Sequence, residues 1–337
     1  MLAMAIARIE AALCGPDDRL PRFAAVAIAA GGWVERAIVA RPGPGAPPAP
    51  DAPFPLYSIT KTFLAAAALR LVTRGALALD APVWGWLPWA PHGERITLRQ
   101  LLSHTSGLPD YGGLPAYHAA VRAGAPAWTD EEVLARTGAE ALRFEPGEGW
   151  AYSNVGYLLV RRLVEAAGGA TLGEVLEAEL LGPLALRDTF LPSDGDLPRL
   201  VLGPSRYLGD GEPVGVPGRY RLGWVAHATL AGSAADAARF LDALLGGEVL
   251  PPALLAEMCA LREVGPVPGH PLPRPSYGLG LMGDASGDPL GHAGGGPGAS
   301  TAVYRRAGAE AVTVAVLTDG EDGGAERLAL AVLDALP

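Results

Sequence analysis

Apolar residues are not spread evenly along this chain, and their spacing changes from segment to segment. Near the start, Ile6, Ile9 and Leu13 recur at helical spacing with Arg8 and Glu10 among them. That pattern predicts a surface helix, because an export signal needs an unbroken apolar stretch. Residues 22–30 and 33–41 are short runs rich in Val, Ile and Ala, joined by Gly31-Gly32, and they read as a β-hairpin. A proline-rich loop follows at 42–55. From Ser58 to about Arg74 the period becomes helical, with Phe63, Leu64, Leu69 and Val72 facing a core until Gly75 ends the run. The middle of the chain, about 80–190, reads as helices and loops, with helices at 98–102, 131–137, 155–167 and 172–181. Another helix is predicted at 233–245. Strand patterns return at 276–283, 299–306 and 310–318, and an amphipathic helix closes the chain at 324–336.

Strands at both ends with helices between them predict an α/β (α+β) fold: one antiparallel sheet assembled from the two chain ends, flanked by the terminal helices, with a helical lobe inserted. Residues 1–75 and 225–337 then form a sheet-containing subdomain and 76–224 a mainly helical one, with the active site expected at their junction. Beyond the Pro/Gly loops at 42–55 and 264–275, no repeat or low-complexity tract is visible.

Composition narrows the possible partners. The chain has 337 residues, half of them apolar and 18% charged, which is enough to bury a large core. A formal charge of −10 and the lack of any Lys/Arg cluster argue against nucleic acid, since a binder must neutralise phosphates. A small or neutral substrate fits the charge better. No apolar run reaches the roughly 20 residues of a membrane span before Arg or Glu interrupts it, so a soluble, cytoplasmic protein is expected. Cys14 and Cys259 match no metal or redox spacing and read as two reduced, buried thiols.

Three clusters carry candidate chemistry. In Ser58-Ile59-Thr60-Lys61, helical geometry brings the lysine amine beside the serine hydroxyl, which is a poor nucleophile until a neighbouring base takes its proton. S-x-x-K alone is a weak pattern, but Lys61 is the only lysine against 25 arginines. Arginine cannot give up its proton at working pH and a buried lysine can, so the one lysine marks a place where a deprotonatable amine is useful. The second cluster, Tyr152-Ser153-Asn154, holds the only asparagine. With ten serines and nine tyrosines in the chain, chance would place both single residues at these spacings about once in a thousand. Tyr152 as a phenolate at pH 7 costs about 4 kcal/mol unless a cation supports it, so either Lys⁺/Tyr⁻ or the neutral pair is open at this point. Asn154 offers donors and an acceptor for orienting Lys61 and substrate. The third cluster is the glycine-rich segment 291–298, read as a loop between strands, where Gly294 and Gly295 let a substrate approach the backbone and an N–H complete an oxyanion hole with that of Ser58. Its nominal G-x-G-x-x-A match enters no predicted helix, which sets aside a dinucleotide loop.

Together these residues resemble the family of class C β-lactamases, serine D-Ala-D-Ala carboxypeptidases and related serine esterases and D-aminopeptidases. The resemblance runs from about residue 22 to 320 and rests on Phe54–Phe63, on Ile96–Leu108 with its Ser103-His104-Thr105-Ser106-Gly107, on Phe144-Glu145-Pro146-Gly147 leading into Tyr152-Ser153-Asn154, and on the glycine segment. It implies a β-lactamase/transpeptidase-like fold and a serine hydrolase needing no cofactor or metal. It further implies Ser58 as nucleophile, Lys61 and Tyr152 as the proton-handling pair, Asn154 as a positioning group, and the Gly295 and Ser58 N–H groups as oxyanion hole. Where β-lactamases carry Lys-Thr-Gly, this chain has His292-Ala293-Gly294. A histidine titrating near 6.5 is mostly neutral at pH 7 and binds a carboxylate poorly, gaining charge towards pH 6. The departure favours an esterase, amidase or aminopeptidase-like substrate over a β-lactam or D-Ala-D-Ala peptide. A non-turnover acylated sensor is the alternative of another class.

The remaining candidates divide less cleanly. Tyr57 before the nucleophile either narrows the site or packs into the sheet. Glu145 and Glu148 flank Pro146-Gly147 and read as a turn rather than a water-activating carboxylate. His104 reads as a hydrogen-bonded loop residue, and His227 as either pocket-lining or packing. No histidine spacing fits zinc, and no G-x-S-x-G marks an α/β-hydrolase.

Overall fold

The structure, a computed structural model, describes residues 1–14, 19–43, 46–322 and 324–336. Ten strands are assigned among them: β1 (Phe23–Ala30), β2 (Trp33–Ala40), β3 (Phe54–Pro55), β4 (Ala231–Gly232), β5 (Arg262–Glu263), β6 (Pro275–Tyr277), β7 (Met282–Asp284), β8 (Leu290–Gly296), β9 (Ala299–Arg306) and β10 (Val312–Thr318). Eight of them form one antiparallel sheet in the order β2-β1-β10-β9-β8-β7-β6-β5. The hairpin turn forms as expected: Gly31 and Gly32 take φ of 56° and 84°, the pair of positive values that a two-residue type I′ connection demands. β1 then pairs with β10, Val26 opposite Val316, so strands from the two ends of the chain lie side by side, one strand in from the β2 edge.

Alternation along β1 explains why it reads as almost wholly apolar. Ala24, Val26 and Ile28 face one core with α1 (Leu2–Leu13) and α10 (Gly324–Ala335). Ala25, Ala27 and Ala29 face the other. The small residues on that second face let the alanine-rich α8 (Ala234–Leu245) lie close against the strands. Below it α2 (Thr60–Thr73) is buried on nearly all sides, with Phe63 stacked on Phe240 of α8 at 3.6 Å between ring centroids. Each such phenylalanine, fully withdrawn from water, contributes about 1.5–3 kcal/mol. α3 (Leu98–Leu102), α4 (Pro115–Arg122), α5 (Asp130–Thr137), α6 (Asn154–Gly168) and α7 (Leu172–Leu176) build the helical lobe, and α9 (Pro252–Cys259) leads back into the sheet.

Three expectations need correction. The run 276–283 is two strands, β6 and β7, because Gly280 at φ +76° turns the chain back so that Tyr277 pairs with Met282. The glycine segment is mostly a strand, β8, paired along its length with β9. Cys14, read as buried, is exposed at the end of α1, and Cys259 is half-buried. Among the described residues no helix is long and apolar enough to cross a membrane.

Candidate active site

Ser58 sits in a single 3-10 turn, Tyr57–Ile59, that runs directly into α2. Tyr57 takes φ +44°, a left-handed conformation that costs a bulky residue energy and that persists where its surroundings over-determine it. Here the Tyr57 N–H donates to Thr229 Oγ1 at 2.8 Å and its hydroxyl to the Pro297 carbonyl at 2.7 Å. The ring lies against Gly296, where a Cβ would come within 2.5 Å of it, so Tyr57 packs on the sheet.

One turn on, Lys61 has no exposure to solvent. Its Nζ lies 3.2 Å from Ser58 Oγ and donates to Asn154 Oδ1 at 2.8 Å. The Tyr152 hydroxyl donates to Ser58 Oγ at 3.0 Å. Burial pulls the Lys61 amine well below the usual lysine range, partly opposed by Asp110. It pushes the Tyr152 phenol up, partly opposed by the Ser58 hydrogen bond. Both shifts favour the neutral amine and the neutral phenol, so the ion pair left open by the sequence is disfavoured here.

The segments around 104 and 145 act as scaffolding. Gly107 at φ +78° approaches the Phe144 carbonyl so closely that a Cβ would fall 2.2 Å from its oxygen. Arg143 N–H donates to the Gly107 carbonyl at 2.8 Å, Gly147 N–H to Thr105 O at 2.8 Å and Ala151 N–H to His104 O at 3.0 Å. Ser153 then caps α6, accepting from Gly156 N–H at 3.0 Å while its own N–H donates to His104 Nδ1 at 3.1 Å. The His104 ring is buried against Tyr152, with centroids 4.3 Å apart, and its Nε2 has no hydrogen-bond partner among the described residues. Tyr152 and Asn154 are thus set by a cap and two locked loops. Glu145 is exposed and paired with Arg95, away from the site.

β8 forms the opposite wall. Gly294 leaves room for the turn that bears the nucleophile: a Cβ there would lie 2.7 Å from both Leu56 O and Ser58 N. The next residue, Gly295, has open space on its own side, the nearest atom standing 3.9 Å from such a Cβ. A cavity of about 310 Å³ opens here, lined by Ser58, Tyr152, Met282, His292, Gly294 and Gly295 among others, and Glu326 is the one acidic side chain among its described lining residues.

His292, on β8, is among the residues lining this cavity. Its side chain is wholly buried. The Ala293 carbonyl lies 2.6 Å from Nδ1 and can only accept, which leaves Nε2 to accept from the Tyr277 hydroxyl at 2.9 Å. Burial and the nearby Lys61 hold its pKa down at about 3. The expected titration near 6.5 is therefore corrected: His292 braces the strand as a neutral ring. His227, whose role was open, proves to be buried within 3.1 Å of Lys61 Nζ through Nε2. No group of three or more potential metal ligands occurs among the described residues.

The family described as Beta-lactamase matches residues 16–336. Esterase EstB of Burkholderia gladioli is 33% identical over 279 residues, covering 73% of this chain and 70% of EstB. Penicillin-binding protein 4* of Bacillus subtilis (strain 168) is 34% identical over 143 residues, 40% of this chain and 30% of that longer protein. The D-stereospecific amidohydrolase from Streptomyces sp. superposes with a TM-score of 0.80 at 28% identity, covering 99% of this chain and 97% of that one.

Proposed function

This chain belongs to the β-lactamase family, and from that premise we propose that it is a serine hydrolase that acylates Ser58 with small esters or amides lacking a free carboxylate next to the scissile bond. The observation that carries the proposal is Ser58 Oγ held at once by Tyr152 and Lys61 beside an open cavity of about 310 Å³. EstB is an esterase and the Streptomyces protein a D-stereospecific amidohydrolase by name, and both substrate types present an acyl carbon to a nucleophile.

In the proposed sequence the substrate carbonyl enters between the Ser58 and Gly295 N–H groups, which serve as oxyanion hole. Neutral Lys61 takes the Ser58 proton as Oγ attacks, and the carbonyl electron pair moves onto the oxyanion. As the pair returns, the alkoxide or amine leaves with a proton delivered through Lys61 or Tyr152, and the acyl group stays on Ser58. Water then repeats the exchange and releases the acid. Asn154 holds the amine throughout. The division into 1–75 with 225–337 and 76–224 is adopted as the two subdomains, the site lying where they meet.

Among the described residues lining the cavity none is a cation, since His292 is neutral and buried and Glu326 carries the opposite charge, and this supports uncharged substrates over β-lactams or D-Ala-D-Ala peptides. Two measurements test the proposal. Mass spectrometry after a fluorophosphonate probe should find the adduct on Ser58. A screen of p-nitrophenyl esters, D-amino-acid anilides and nitrocefin should show turnover with an ester or anilide leading. A single equivalent of acylation without turnover points to a sensor; labelling elsewhere, with Ser58→Ala fully active, refutes the mechanism.

A further inference from the structure

We propose that His227 is a positioning residue for Lys61, the electron-rich face of its neutral imidazole accepting one Lys61 N–H so that the amine lone pair is left aimed at Ser58 Oγ. This rests on the reading of Ser58 and Lys61 given above. The inference follows from counting donors. A neutral amine has two N–H groups and one lone pair, and Lys61 Nζ has three neighbours: Ser58 Oγ at 3.2 Å, Asn154 Oδ1 at 2.8 Å and His227 Nε2 at 3.1 Å, with Nδ1 at 3.4 Å. The Asn154 oxygen can only accept. Tyr152 already donates to Ser58 Oγ, so the serine hydrogen is free to point at the lysine lone pair. The second N–H then needs an acceptor, and the ring offers its face: at 3.1 Å and 3.4 Å from the two nitrogens of one imidazole, Nζ stands over the ring plane. When Ser58 gives up its proton, the ammonium that forms keeps two acceptors in place, one of them this ring.

The ring is held where that role requires. Among the described residues Lys61 is its only hydrogen-bonding partner, and its residue is 2% exposed. The segment carrying it is tied to the residues on either side of the nucleophile: Leu56 N–H donates to Leu230 O at 2.7 Å, Tyr57 N–H to Thr229 Oγ1 at 2.8 Å and Leu230 N–H to Thr60 Oγ1 at 2.9 Å. Ala226 N–H donates to the Tyr111 hydroxyl at 3.1 Å, fixing the near side. Burial foremost, then Lys61, His292, Arg161 and His104 oppose a charge on His227, so it remains an acceptor. Tyr157 packs beside it, and Asp110 is the one acid acting on Lys61, favouring the ammonium.

The test uses the full chain, p-nitrophenyl acetate and a pH series. His227→Leu removes the acceptor and should lower kcat by about 5- to 30-fold, the range set by one desolvated cation over an aromatic face, with KM little changed. Its acid limb should move to lower pH, because an ammonium with one acceptor fewer loses its proton more readily. His227→Gln keeps an acceptor oxygen and should retain kcat within about threefold, with the wild-type limb. Melting curves check that both variants fold, and fluorophosphonate labelling follows Ser58 in each. A folded His227→Leu protein with wild-type kcat and limb overturns the inference. So does a folded His227→Gln protein more than about tenfold slower than wild type. If the wild type itself is not labelled at Ser58, it is the hydrolase reading that fails instead.

Discussion

Adding one methyl group at Gly294 should damage catalysis far more than its size suggests. A Cβ on Gly294 would stand 2.7 Å from Leu56 O and 2.7 Å from Ser58 N, both backbone atoms that cannot swing aside. Ordinary contact begins at 3.4 Å, so β8 and the Tyr57–Ile59 turn must part by roughly 0.7 Å. That turn also carries the strained Tyr57 and the N–H assigned to the oxyanion hole. Overpacking of this kind costs about 1–3 kcal/mol in stability, and a displacement near 1 Å in a reacting group costs about 10²-fold in rate. Gly294→Ala should therefore lower kcat/KM for p-nitrophenyl acetate by about 10²-fold while the protein still folds. Gly295→Ala supplies the comparison for stability: its methyl enters open space, so unfolding free energy should stay within about 0.5 kcal/mol of wild type. Urea titration and initial rates on both variants decide the matter. Wild-type kcat/KM in Gly294→Ala would mean that the strand and the nucleophile turn are not in register as described, and the oxyanion assignment would go with it.

Lys61→Arg keeps a charge but cannot yield a proton, and should slow acylation at least about 10²-fold in a stopped-flow burst; near-wild-type turnover would make the lysine merely electrostatic. Because His292 is held at about 3, the ratio of ester to nitrocefin turnover should stay flat from pH 8 to 6, and a severalfold narrowing towards pH 6 would contradict its buried, neutral placement. Burial also depresses His104 and His227, so all three imidazoles are neutral when folded, yet in the unfolded chain they take up protons below about 6.5. Stability that is present above 6.5 is thus lost as pH falls towards their folded values, by about 2 kcal/mol per histidine between pH 7 and 5. Melting temperatures across that range should drop, and replacing all three histidines should flatten the slope.

How far the sequence could be read depended on whether a signal was local. The hairpin, α2, α8, β9, β10 and α10 were legible because their apolar periods are carried by side chains within a few residues of one another. β8 was not, because Leu290–Gly296 has four glycines in seven positions and therefore no side-chain alternation to read. Its strand character comes from pairing with β9, and Gly294 and Gly296 are explained by Ser58 and Tyr57, more than two hundred residues away. Ser58, Lys61, Tyr152 and Asn154 could be singled out because the chain spends its only lysine and only asparagine there, and the structure brings all four into one hydrogen-bonded group. Nothing around His227 distinguishes a ring that meets Lys61, 166 positions earlier, from one that only packs. The burial of His292 was not legible for a related reason: neither the strand that carries it nor the Tyr277 hydroxyl that meets its ring shows in the local pattern.

The pairing of β1 with β10 has a consequence for how the protein is made. Val26 leaves the ribosome 290 residues before Val316, its partner. Until then β1 and β2 exist as a two-stranded ribbon, marginal in water, with the inner edge of β1 unpaired and both of its apolar faces uncovered. The helical lobe can gather early from contacts close in sequence, whereas the sheet must wait for long-range closure, which is slow and exposes strand edges. A nascent chain halted near residue 260 would hold Ser58, Lys61 and Tyr152 but lack β8, so it should neither take up an acylating probe at the mature rate nor resist proteolysis along β1 and β2. Nucleophilic competence would then arrive late in synthesis, with the strand that completes the pocket.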